Sequence, residues 1–141
     1  MERGDAKMVI KAHKVSAGRG EGEALVYEGP FSFLGDLNPG TGKICLPRHK
    51  LEGISVAHKV FVFTTGKGSG GGDVAIWAAK KNGNAPAAIV CVESEPVLSG
   101  GVIAAQIPTV DRPEGNVFDL IKTGDYVRVD ATEGVIEIMG K

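Results

Sequence analysis

Apolar residues in this chain fall in short runs separated by turn-forming residues. The run "MVIKAHKV" at 8–15 is rich in strand-forming residues and predicts one strand. Glycines at 18–22 predict a turn, and "EALVYEG" from Glu23 a second strand. The stretch 30–42 predicts a short strand and then a turn at Asn38-Pro39-Gly40. "KICL" at 43–46 reads as another short strand, and 47–53 as a polar loop. The clearest strand is "KVFVFT" at 59–64, whose near-continuous apolar character suits a strand covered on both faces.

The segment "TTGKGSGGGD" at 64–73 follows that strand. Asp73 is a candidate N-cap for a helix over 74–83, ended by Asn82-Gly83. Val74, Trp77 and Ala78 share one helical face at i, i+3, i+4 spacing and predict its apolar stripe. "APAAIVCVES" at 85–94 predicts a second buried strand, so 59–93 reads as a βαβ unit with parallel strands. Residues 102–107 form a further apolar segment ended by Pro108, and "VFDLI" at 117–121 a helical turn. The tail alternates apolar and polar residues, predicting strands at 126–129 and 135–138 around a turn at 132–134. Strands on both sides of a βαβ unit, with no long linker, predict one α/β domain over 1–141 of mixed β and α layers.

Composition narrows the classes of function. The 141 residues suit a single domain with 43% hydrophobic content for its core. Sixteen basic and 17 acidic residues leave a net charge of -1, which gives no electrostatic grip on nucleic acid or an anionic membrane. No run approaches the roughly 18 apolar residues of a membrane span, so the expected compartment is the cytoplasm. Cys45 and Cys91 stand 46 apart without CxxC spacing, and both are expected to be reduced, buried small hydrophobes. Glycine is the outlier, at 21 residues, and has no repeating period, which excludes collagen-like and repeat folds.

The glycine segment carries the candidate chemistry. Gly66, Gly68 and Gly71 spell a literal GxGxxG with Glu93 22 residues further on, the outline of a dinucleotide fingerprint. The hairpin-like flanks lack the further βα units that such a fold requires. A P-loop is excluded because Lys67 is followed by Gly68. A phosphocarrier loop needs a histidine, and 64–73 contains none. What survives is a run of amides before a helix, which favours an anion and surrounds Ser69. That serine is either a turn residue or a base, and as a base it needs N–H donors and a cation such as Lys67. Asp111-Arg112 reads either as a surface ion pair or as an anion-binding arginine at the mouth of a site. His13, His49 and His58 form no ligand spacing and read as surface or structural residues.

Four segments, "FSFLGDLNPGTGKI", "HKLEGISVAHKVFVFTTGKGSGGG", "KKNGNAPAAIV" and "AAQIPTVDRP", resemble in order and spacing the small, swivelling domain of the aconitase X family. The resemblance runs from about Ala24 to the end. It implies a swivelling β/β/α domain, with a β-barrel-like part beside a βαβ part. It implies one subunit of a heteromeric hydro-lyase, with 5-phosphomevalonate as substrate and cis-3-hydroxyproline as the alternative. By the same resemblance Ser69 is the catalytic base, and Lys67, Gly68, Gly70 and Arg112 are expected around the substrate. The implied iron–sulfur cluster is bound by the large subunit, since two cysteines are too few for the usual ligand set. The remaining reading is a non-catalytic assembly module.

Overall fold

The computed structural model describes residues 6–68 and 71–140. Eight strands form one sheet: β1 (Met8–Lys11), β2 (His13–Ser16), β3 (Arg19–Val26), β6 (Val60–Phe63), β7 (Ala88–Cys91), β8 (Thr109–Asp111), β9 (Tyr126–Asp130) and β10 (Val135–Gly140). A small hairpin pairs β4 (Leu37–Asn38) with β5 (Lys43–Ile44). The helices are α2 (Gly72–Lys81) and α3 (Pro96–Ala105), with single turns at α1 (Phe33–Asp36) and α4 (Val117–Leu120).

The spatial order of the large sheet is β1-β10-β9-β3-β6-β7-β8-β2. Its two end strands are consecutive in the chain and are separated only by Ala12. The sheet therefore curls until its ends meet, which makes a barrel-like ring closed by the chain itself. The expected single strand over 8–15 is thus two strands. β1 pairs with β10 and β2 with β8, both antiparallel. At the bend Ala12 N–H donates to Gly134 O at 2.9 Å.

β3 joins the two halves of the ring. Its first part pairs antiparallel with β9 and its last three residues pair parallel with β6. The turn expected at 18–22 is mostly strand. Gly20 and Gly22 belong there because other backbone crosses close by, and a Cβ on Gly20 would overlap Ala87 O. β6, β7 and β8 continue in parallel, as the βαβ reading requires.

Alternation sorts the buried residues into two cores. Val60, Val62, Ala88 and Val90 point into the ring with Val110, Val127, Val129 and Ile136. Phe61, Phe63, Ile89 and Cys91 point the other way, toward α2 and α3. Both faces of the parallel strands are dry, which explains their continuous apolar runs. Phe31, Phe33, Phe61 and Phe63 form a ring cluster with centroids 4.8–6.5 Å apart.

α3 occupies the segment expected only as an apolar run. Glu95 caps it and Pro96 starts it, the position proline favours. Gly101 lets α2 approach, because a Cβ there would stand 2.7 Å from Ile76 Cδ1 and 3.0 Å from Asp73 Cα. α2 differs from expectation in two respects. Its N-cap is Gly71, in the left-handed region at φ 95°, and not Asp73. Its buried face is Gly72, Ala75, Ile76 and Ala79, so Val74 and Trp77 point outward. Cys91 is buried as expected, whereas Cys45 is exposed; both are free thiols. Among the described residues no helix is long and apolar enough to cross a membrane.

Candidate active site

The carboxyl ends of β3, β6, β7 and β8 lie along one edge of the sheet, the end at which parallel α/β sheets, open or closed, bind ligands. The glycine segment leaves β6 at this edge. Its start is fixed by backbone bonds: Thr64 O accepts from Val92 N–H at 2.9 Å and Glu93 N–H at 3.1 Å, and Thr65 O from Phe31 N–H at 2.9 Å. Phe31, Phe33, Ile76 and Leu98 line the space beneath Gly66, Lys67 and Gly68. The aromatic cluster is thus the floor under the loop.

Two carboxylates flank the loop, and neither was singled out from the sequence. Asp36 Oδ2 lies 2.7 Å from Lys67 Nζ and also accepts from Ser32 N–H at 3.0 Å. Glu95 accepts from Val97 N–H at 2.8 Å and Leu98 N–H at 2.9 Å, capping α3. Its side chain fills the space where Gly66 would carry a Cβ. The signal available in the sequence was Glu95-Pro96, an acidic cap before an N1 proline.

Lys67, Gly68 and Arg112 all lie on this edge. Gly68 adopts a positive φ of 72°, which glycine takes without strain. Ser69 and Gly70 lie outside the described residues; in the chain they stand between Gly68 and Gly71, the cap of α2. Arg112 does not pair with Asp111. Its guanidinium grips Glu93 through Nε–Oε2 at 3.0 Å and Nη2–Oε1 at 3.1 Å. The hydrogen bond from Arg112 holds the Glu93 carboxyl below the usual range, and the same bond raises Arg112. Both are exposed, so solvent screens the pair.

Asp111 ends β8 and is buried. Burial alone would raise its carboxyl. It nevertheless lies below the usual range, because Ser94 N–H at 3.1 Å, Ser94 O–H at 2.8 Å and His13 at 2.8 Å outweigh that cost. Asp111 is therefore a buried tie between β2, β8 and the start of α3, and the ion pair considered for it with Arg112 is not formed. His13 serves this tie, a structural role of the kind expected for it.

The described residues do not fit a resident cluster. Among the described residues no three His, Cys, Asp or Glu side chains gather to hold a metal ion. Burial pushes the Cys91 thiol up from its ordinary value, reinforced by Asp111, Glu93 and Glu95 nearby.

A ring-closed β/β/α domain that presents a glycine loop at its carboxyl edge is the architecture of a swivelling domain. The chain belongs to the aconitase X swivel domain family, whose model matches residues 9–138. It is 45% identical over 131 residues to the phosphomevalonate dehydratase small subunit of Methanocella arvoryzae, covering 93% of this chain and 99% of that one. The protein of the same description from Methanothermobacter thermautotrophicus is 43% identical over 129 residues, covering 92% and 98%. The crystal structure of Thermococcus kodakaraensis aconitase X in its holo form superposes with a TM-score of 0.87 at 41% identity, covering 93% and 98%.

Proposed function

We propose that this chain is the small subunit of a phosphomevalonate dehydratase. The observation that carries the reading is the correspondence over more than nine-tenths of the chain with small subunits of that description at 40–45% identity. The reaction removes water from 5-phosphomevalonate to give trans-anhydromevalonate 5-phosphate. A proton leaves the carbon next to the carboxylate, hydroxide leaves the neighbouring carbon and takes up a proton as water, and the electron pair becomes the double bond.

In this reading Ser69 is the base. A serine hydroxyl is a poor proton acceptor, so it requires donors that stabilise its alkoxide form. Support comes from its place between Gly68 and Gly71, two residues from Lys67 and just before the first N–H groups of α2. Asp36 keeps the Lys67 ammonium oriented beside the loop. Arg112 stands at the same edge for an anionic substrate group, and would have to exchange Glu93 for it. An iron–sulfur cluster belongs in the large subunit, where it would act as a Lewis acid. The complex is expected in the cytoplasm.

The test is reconstitution. Co-expression with the cognate large subunit, anaerobic cluster loading and an assay of water loss should give turnover of 5-phosphomevalonate. Turnover of cis-3-hydroxyproline instead would reassign the substrate. A loaded complex that turns over neither would refute the hydro-lyase reading.

A further inference from the structure

We infer that the outward face of α2 is the surface on which the large subunit docks, with Trp77 as its anchor. This rests on the small-subunit reading above. Three large apolar side chains are exposed in succession from the end of the loop. Leu34 is 50% exposed and leans on Gly71, where its Cδ2 lies 3.0 Å from the position a Cβ would take. Val74, the third residue of α2, is 65% exposed, and Trp77, about one turn further, is 50% exposed. Their spacing is that of an amphipathic stripe, but the stripe faces away from the core.

The occupant follows from where the strip begins. In the small-subunit reading the carboxyl edge that carries Lys67 and Arg112 has to face the subunit that holds the substrate. Leu34 lies against Gly71, and Val74 is three residues beyond it, so the strip adjoins that edge. A half-exposed indole leaves much apolar area in water, and tryptophan is among the residues enriched as buried anchors of protein interfaces. Lys81 Nζ stands 4.8 Å from the Trp77 ring centroid. Among the described residues no carboxylate reaches Lys80 or Lys81 as a salt-bridge partner. The complementary surface is therefore an apolar socket for the indole with carboxylates on the Lys80–Lys81 side.

Trp77 is the chain's only tryptophan, so it can be labelled alone. The small subunit carrying 5-fluorotryptophan is titrated with unlabelled cognate large subunit. The fluorine resonance should shift on binding and lose its H2O/D2O solvent-isotope shift. Trp77→Glu should weaken the complex by at least about 30-fold, the scale of a buried aromatic anchor. Ile103→Glu, at another exposed apolar site on α3 beside Val15 and Gln106, should leave it unchanged. If the subunits bind while the fluorine stays solvent-exposed and Trp77→Glu binds normally, the docking face is refuted and the functional reading stands. The fluorine measurement uses the wild-type sequence, so misfolding of the variant cannot mask this result. A resonance that shifts with the concentration of this chain alone would assign the face to self-association and also overturn the inference. Failure of the wild-type subunits to bind refutes the small-subunit reading, and the inference with it.

Discussion

Gly66→Ala is the substitution that most sharply separates the loop's position from the fold's stability. The backbone at Gly66 is not in the left-handed region, so alanine brings no φ strain. The cost is contact. The new Cβ would overlap Glu95 Oε1 and stand 3.1 Å from Glu95 Cδ, closer than the about 3.5 Å at which such atoms settle. Either Glu95 retreats or the loop does. Glu95 is held by two N–H groups of α3 at 2.8 and 2.9 Å, and losing that cap costs about 0.5–2 kcal/mol. Replacing glycine returns about 0.4–1 kcal/mol through the unfolded chain. The net destabilisation is therefore at most about 1.5 kcal/mol, a Tm drop of a few degrees for a chain of this size. Catalysis is far more sensitive, since a displacement of about 1 Å near a reacting centre can cost on the order of 100-fold. The assay is kcat of the reconstituted complex beside thermal unfolding of the small subunit. Adding Glu95→Ala removes the obstacle, so the double variant should recover much of the kcat that Gly66→Ala loses. A Gly66→Ala enzyme within threefold of wild type, or a double variant no better than the single, would refute the account of how the loop is held.

Asp36→Asn removes the charge facing Lys67 while keeping an acceptor for Ser32 N–H. Because Lys67 is partly exposed, its stability cost should stay below about 1 kcal/mol by thermal unfolding, while kcat falls at least about tenfold. Gly20→Ala should destabilise by about 3 kcal/mol or more in urea melts, because its Cβ meets the rigid backbone of Ala87 and no side chain can yield. Asp111 has a folded pKa below its unfolded value, so it stabilises the protein above the ordinary carboxylate range near pH 4. That stability is lost as pH falls through the lower folded value, and Asp111→Asn should flatten this acid limb of the stability–pH curve.

The strands flanking the loop were legible in the sequence because both their faces are buried, which leaves no polar alternation to blur "KVFVFT" or "AAIVC". Other elements were hidden by contacts remote in sequence. Ala12 breaks no local pattern, yet it separates β1 from β2 because each finds a different partner strand. Gly100 and Gly101 interrupt the pattern of α3, so that only an apolar segment from 102 stood out, although Gly101 is small so that α2 can pack against it. Gly20 and Gly22 resemble a loop for the same reason. The 3–4 spacing of Val74 and Trp77 was legible but says nothing of which way the stripe faces. At the site, Lys67 and Arg112 could be picked out as loop cations. Their partners Asp36 and Glu93 lie 31 and 19 residues earlier in the chain and become visible only once the strands are assembled.

In the proposed reaction Ser69 removes the proton. This role is tested most directly by Ser69→Ala in the cluster-loaded complex with 5-phosphomevalonate. The complex should form with unchanged affinity, while both water loss and exchange of the substrate's α-proton with solvent fall by at least about 1,000-fold, within the range for removing a general base. Near-normal turnover, or undiminished α-proton exchange, from an intact Ser69→Ala complex would contradict it.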